Sequence, residues 1–110
     1  MAIKRGNIVL AVHADLGSPR PAVVVQADIF NERAGTILVC PLTSDITEDM
    51  PLRPIIAASA ESGLRENSQI MTERMMALRT DRIRGVLGSV DPSTAEQLDR
   101  ALLIVLGLDG

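Results

Sequence analysis

The sequence has no tryptophan and no tyrosine, and its only aromatic ring is Phe30. Base recognition by aromatic stacking is therefore excluded as a main device. The core must be aliphatic, built from Val, Leu, Ile, Ala and Met. A single cysteine, Cys40, excludes an internal disulfide. It lies in an apolar run, which predicts a buried, inert thiol and fits a reducing cytoplasm. The single histidine, His13, is far from Cys40 in sequence. That pair makes no zinc ligand set, and no metal or other cofactor is expected. His13 itself reads as a structural residue of a loop or strand end. No stretch approaches the ~20 apolar residues of a membrane span. Met1 to Asn7 lacks the apolar segment of a signal peptide. These features predict a cytoplasmic protein with no membrane partner.

Basic residues are also in deficit. Eleven Lys and Arg face fourteen Asp and Glu, for a formal net charge of -3. A nucleic-acid coat protein is usually basic, because phosphate neutralisation drives its affinity. Any nucleic-acid binding here must come from a local cluster. There is no P-loop, no dinucleotide fingerprint and no Ser-His-Asp arrangement.

What remains fits one domain over 1–110. Short apolar runs over 8–12, 22–26 and 36–40 read as strands, the second buried on both faces. Pro41 is expected to close the third. Residues 13–21 and 42–50 read as loops, and 31–35 as a polar turn. Pro54 confines 52–57 to an edge strand. Residues 69–73 and 75–78 form a pair of strand candidates. One helical turn fits 79–84, and a last short strand fits 86–90. The C-terminal helix is the clearest element. Asp91 or Ser93 caps it, Pro92 suits its first position, and Gly107 stops it. Ala95, Leu98, Leu102, Val105 and Leu106 follow the helical period. Ala101, Leu103 and Ile104 widen that stripe, which implies either deeper burial or a partner. Strands followed by one helix predict a mostly β fold, a small barrel or strongly curved antiparallel sheet.

Chemistry gathers at Gly17-Ser18-Pro19-Arg20-Pro21. Two prolines stiffen the backbone around Arg20. A guanidinium presented by a rigid turn at a sheet mouth suits an anion. Thr43 and Ser44 follow the 36–40 strand, where hydroxyls emerge at a sheet end. Turn formation alone would also account for them.

Taken in order, four segments resemble the MazF/PemK family of toxins from bacterial toxin-antitoxin pairs. They are Lys4-Arg5-Gly6-Asn7-Ile8-Val9, Arg20-Pro21-Ala22-Val23-Val24-Val25-Gln26, Cys40-Pro41-Leu42-Thr43-Ser44, and Leu98-Asp99-Arg100-Ala101-Leu102 through Leu108. Gly63-Leu64 and Ser68-Gln69-Ile70-Met71 fit between them. The resemblance implies an SH3-like barrel with a C-terminal helix, found as a homodimer. It implies a metal-independent endoribonuclease that cuts single-stranded RNA through attack by the ribose 2′-hydroxyl. It also implies an antitoxin partner. Arg20 and Thr43 stand at the positions of the family's catalytic Arg and Thr/Ser. Many relatives carry an acid or His in a longer first loop, which is cut here to Gly17-Ser18-Pro19. Glu73, matching an acid that some relatives place further on, is then the candidate general base. Ser18, Ser44, Arg79 and Arg82 are the candidate RNA contacts. Where relatives have an Arg shortly after that acid, this chain has Met76. A rival within the fold family is the CcdB-like gyrase poison, which relies on a C-terminal Trp. A second rival is an inactive barrel that only binds antitoxin.

Overall fold

A computed structural model of the chain describes residues 2–33 and 35–109. Ala34, in the expected polar turn, lies outside the described residues. The strands are β1 (Asn7–Ala11), β2 (Arg20–Val24), β3 (Thr36–Thr43), β4 (Ile55–Ile56), β5 (Ser68–Ile70), β6 (Met76–Arg79) and β7 (Ile83–Ser89). The helices are α1 (Asp28–Asn31) and α2 (Pro92–Val105). The strands form one antiparallel sheet in the order β4-β5-β3-β2-β1-β7, with β6 also paired to β3. The sheet curls into a half-barrel, as the strand-then-helix pattern predicts.

Alternation along the strands feeds two cores. Val9, Ala11, Ala22, Val24, Ile37 and Val39 face one, and Ile8, Val23, Cys40, Leu42 and Ile70 face the other. Helix α2 covers the second with Leu98 and Leu102. The Asp91 carboxylate caps α2 by accepting from the Thr94 N–H at 2.7 Å. That contact holds the Asp91 carboxyl below the usual carboxylate range. Ala101 is buried, whereas Leu103 and Ile104 stay exposed. The widened stripe is thus partly a free surface.

Apart from shifted ends, where the expected strand 69–73 stops at Ile70 ahead of a 3-10 turn (Thr72–Arg74) and β7 starts at Ile83 inside the expected helical turn, two elements depart from the sequence expectation. Strand β3 does not stop at Pro41 but runs on to Thr43. Its outer edge pairs with β6 over Thr36–Val39 and with β5 over Leu42–Thr43. Pro41 sits at the seam between these ladders. Its carbonyl accepts from the Met71 N–H at 2.9 Å, so its nitrogen also points to the seam. A missing N–H removes no ladder bond there. The second departure is α1, a four-residue helix where a polar turn was expected to begin. Asn31 ends it and is buried, donating through its side-chain amide to the Ile3 carbonyl at 3.2 Å.

Candidate active site

Prolines shape the site as well as the strands. In the β2–β3 ladder Ala22 faces Pro41, Val23 faces Cys40 and Val24 faces Val39. One step further, Pro21 would face Leu42, but proline has no N–H to give. The ladder ends there, and the two strand ends are free to part. Carrying the register one more residue sets Arg20 opposite Thr43. Both line a cleft of about 680 Å³ at this end of the sheet. Leu10, Pro21, Leu42 and Leu87 give it an apolar lining, and Ser44, Asp45, Ser68, Arg65 and Glu66 a polar one.

The polar groups are held in place. The Thr43 Oγ1 accepts from the Asp45 N–H at 3.1 Å. One lone pair is used, and the hydroxyl hydrogen remains available to a ligand. The loop after Thr43 is tied down by the buried Gln69. Its amide accepts from the Thr47 N–H at 3.2 Å and donates to the Thr47 carbonyl at 2.7 Å. His13 accepts through Nδ1 from the Asp15 N–H at 3.1 Å and caps the short 3-10 turn Ala14–Leu16. That contact orders the loop leading to Arg20. Arg20 itself is half-buried, and among the described residues no carboxylate lies within 4.0 Å of it or of Arg65.

The cleft owes its far wall to a strap, residues 57–67, between β4 and β5. The strap crosses to β7, where the Ser89 N–H donates to the Glu61 carbonyl at 3.0 Å. It thereby links the two edges of the curled sheet. Backbones meet there with no room for side chains. A Cβ on Gly63 would stand 2.0 Å from the Leu87 carbonyl oxygen, and one on Gly88 2.3 Å from that of Glu61. Ser62, buried within the strap, donates from Oγ to the Ala57 carbonyl at 2.9 Å.

Of the residues singled out in the sequence, Arg20, Thr43 and Ser44 come together in the cleft. Ser18 is exposed two residues before Arg20 and does not line it. Arg79 and Arg82 do not line it either; Arg79 pairs with Asp81 at 2.6 Å. Glu73 is also elsewhere, in a 3-10 turn (Thr72–Arg74) beside α2. Its carboxylate takes a two-point hydrogen bond from Arg53, whose side chain is only 8% exposed. That bond from Arg53 holds the Glu73 carboxyl below the usual range, which makes it a poor proton acceptor. The position that the sequence suggested for a base is therefore occupied by a tether between the 48–54 loop and the α2 side. Sequence reasoning missed Arg65, Glu66 and Asp45 as cleft residues. The only local signal was the Gly63-Leu64 pair that anchors the strap. Cys40 is buried as expected, and burial pushes its thiol up to about 12.

The Arg53–Glu73 tether has a testable pH signature. A depressed carboxyl contributes stability above the ordinary Glu value of about 4.3 and loses it as pH falls through its lower folded value. Glu73→Gln is expected to unfold at lower denaturant than the parent at pH 7. The gap should close as pH falls below about 4. Urea midpoints measured across this range check it. A gap independent of pH would contradict the assignment.

Among the described residues no group of three or more His, Cys, Asp or Glu is placed to hold a metal ion. No helix is long and apolar enough to cross a membrane, again among the described residues. A curled antiparallel sheet, a terminal helix and a cleft lined by two arginines and two carboxylates define a small β protein with a polar cleft at one end of its sheet. Residues 4–106 match the model of the PemK-like, MazF-like toxins of type II toxin-antitoxin systems, and the chain belongs to that family. It is similar to the endoribonuclease MazF9 of Mycobacterium tuberculosis, 32% identical over 86% of this chain and 84% of the relative. It is also similar to a probable endoribonuclease MazF of Mycolicibacterium smegmatis, 30% identical over 98% of this chain and all of the relative. Among solved structures, a mycobacterial endoribonuclease in complex with its cognate antitoxin superposes with a TM-score of 0.78 at 23% identity. That match covers 99% of this chain and 97% of the other.

Proposed function

We propose that this toxin is an endoribonuclease that cleaves single-stranded RNA in the Arg20–Thr43 cleft, with the ribose 2′-hydroxyl as nucleophile. The observation that carries the reading is the meeting of an ion-pair-free guanidinium and an oriented hydroxyl across one cleft. Attack on the adjacent phosphorus builds negative charge on the non-bridging oxygens. Arg20 holds that charge through two parallel N–H bonds. Its role is charge stabilisation, which needs no proton to leave the guanidinium. Thr43 donates its hydroxyl hydrogen to a non-bridging oxygen and fixes in-line geometry. The nucleophile belongs to the substrate, and no step is assigned to a metal. The 2′-O–P bond forms as the P–O5′ bond breaks and the departing 5′-oxygen takes a proton from solvent water, so the products carry a 2′,3′-cyclic phosphate and a 5′-hydroxyl. The carboxylates that line the cleft with Arg20 are Asp45 and Glu66, so one of these, rather than Glu73 outside the cleft, is assigned the proton of the 2′-hydroxyl.

The partners follow from the same reading. A cognate antitoxin with an acidic, disordered tail would cover the cleft. A second copy of the chain would cover the exposed apolar stripe of α2, where Leu103, Ile104, Leu106 and Leu108 face outward. A cytoplasmic location suits an RNA substrate and the buried free thiol.

The test is incubation of the purified chain with single-stranded RNA in EDTA. Discrete fragments with 5′-hydroxyl ends are expected. Intact RNA alongside gyrase-dependent DNA breaks would replace the reading with the CcdB-like one.

A further inference from the structure

We propose that Arg65 is a second phosphate ligand, so that the cleft grips RNA at two successive backbone positions; this rests on the nuclease reading above. The two guanidinium groups of the cleft come from different walls. Arg20 is presented by β2, and Arg65 by the strap. Outside the cleft, Arg5 pairs with Asp99, Arg53 and Arg74 with Glu73, and Arg79 with Asp81, while Arg33, Arg82 and Arg100 have no such partner among the described residues but line no part of the cleft. Among the described residues neither cleft arginine has such a partner.

Arg65 is exposed, but its backbone is fixed. Leu64, the residue before it, is buried in the core under α2. Gly63 carries a φ of 71° and lies against the Leu87 carbonyl. The Gly63 N–H donates to the Ser59 carbonyl at 2.9 Å. After it, the Ser68 hydroxyl donates to the Glu66 carbonyl at 3.0 Å. A guanidinium on such a support loses little backbone freedom when it binds, which favours specific contact.

Electrostatics sharpen the point. Asp45 and Glu66 balance Arg20 and Arg65 in formal charge around the cleft. With a chain charge of -3, no broad basic field draws RNA in. Backbone binding must therefore rest on a few directional contacts, each guanidinium forking onto phosphate oxygens. A small number of neutralised phosphates gives a shallow salt dependence, about 0.7 in logarithmic slope per contact on a single strand.

The experiment measures cleavage kinetics on RNA, together with binding of a random-sequence 2′-O-methyl oligonucleotide, which cannot supply the nucleophile. Arg65→Ala is expected to raise KM and weaken oligonucleotide binding roughly tenfold or more, with kcat within a few-fold of the parent. It should lower the salt slope by about 0.7. Arg65→Lys should keep the slope while recovering only part of the affinity. Arg33→Ala, an exposed arginine outside the cleft, is the control and should change nothing. Thermal melts check that the fold is unaltered. Arg65→Ala indistinguishable from Arg33→Ala in a parent that cleaves RNA would overturn the proposal and leave the nuclease reading standing. A fall in kcat with KM and salt slope unchanged would also overturn it. A parent that neither cleaves nor binds RNA would remove both.

Discussion

Arg20→Ala is expected to cut RNA cleavage by roughly 10²–10³-fold or more while the melting temperature barely moves. The chemical half of that expectation follows from charge. On the proposed mechanism a dianionic phosphorane would form beside Arg20 in a cleft partly lined by Leu10, Pro21, Leu42 and Leu87. A missing donor there costs the most at the transition state. The structural half follows from the environment of Arg20. It is only half-buried, and among the described residues it has no ion-pair partner to orphan. Its backbone pairs with Ala11 at the end of β1, a contact that alanine retains. Arg20→Lys should recover part of the rate at most, because an ammonium cannot present two parallel donors. Single-turnover rates beside calorimetric melts separate the two halves. A variant with lost activity and a melting point lowered by ten degrees would mark Arg20 as structural instead.

The second large effect is expected at a residue with no side chain. Gly88→Ala should destabilise the chain by about 2–4 kcal/mol, or on the order of 10 °C in Tm, and should depress cleavage further than the melt alone explains. The added carbon would stand 2.3 Å from the Glu61 carbonyl oxygen and 2.5 Å from the Ser62 carbonyl carbon. Both obstacles are backbone, so no rotamer change relieves them. The strap must lift from β7, and with it goes the wall that carries Arg65. Gly17→Ala supplies the contrast. Gly17 also has a positive φ, 75°, but a Cβ there meets nothing within 4 Å. Its cost is that of the strained backbone alone (φ 75°, ψ -117°), about 1–3 kcal/mol. Equal melting losses in the two variants would refute the clash at the strap.

What could be read in the sequence was what depends on neighbours along the chain. The Ala22–Val25 run is buried on both faces because its β-branched side chains leave no polar side to the strand. The helix from Pro92 was legible in the same way, since cap, first-position proline and apolar period all lie within it. Pro41 was misleading because its meaning is non-local. A proline ends a strand in isolation, but here its missing N–H falls at the point where β3 exchanges β6 for β5. Glu73 was misplaced for a related reason. Adjacent Arg74 is visible in the sequence, but the partner that governs Glu73 is Arg53, which the fold brings up from the loop before β4. The Arg20–Thr43 pair was suggested by its flanking motifs. The physical cause of their meeting, a ladder cut short by Pro21, emerges only from the β2–β3 register. The strap was not foreseen, because Gly63 and Gly88 matter through a close approach between segments distant in sequence.

The proposed nucleophile in the Arg20–Thr43 cleft is the substrate's own 2′-hydroxyl. Its most direct test begins by mapping the cut site in RNA. A single 2′-deoxy substitution is then placed at the nucleotide 5′ to the scissile bond, and cleavage is measured in EDTA. Cleavage at that bond is expected to stop while binding of the oligonucleotide persists, and the unmodified strand is expected to end in a 2′,3′-cyclic phosphate. Continued cleavage of the deoxy-substituted bond would contradict it, because the nucleophile would then have to come from water.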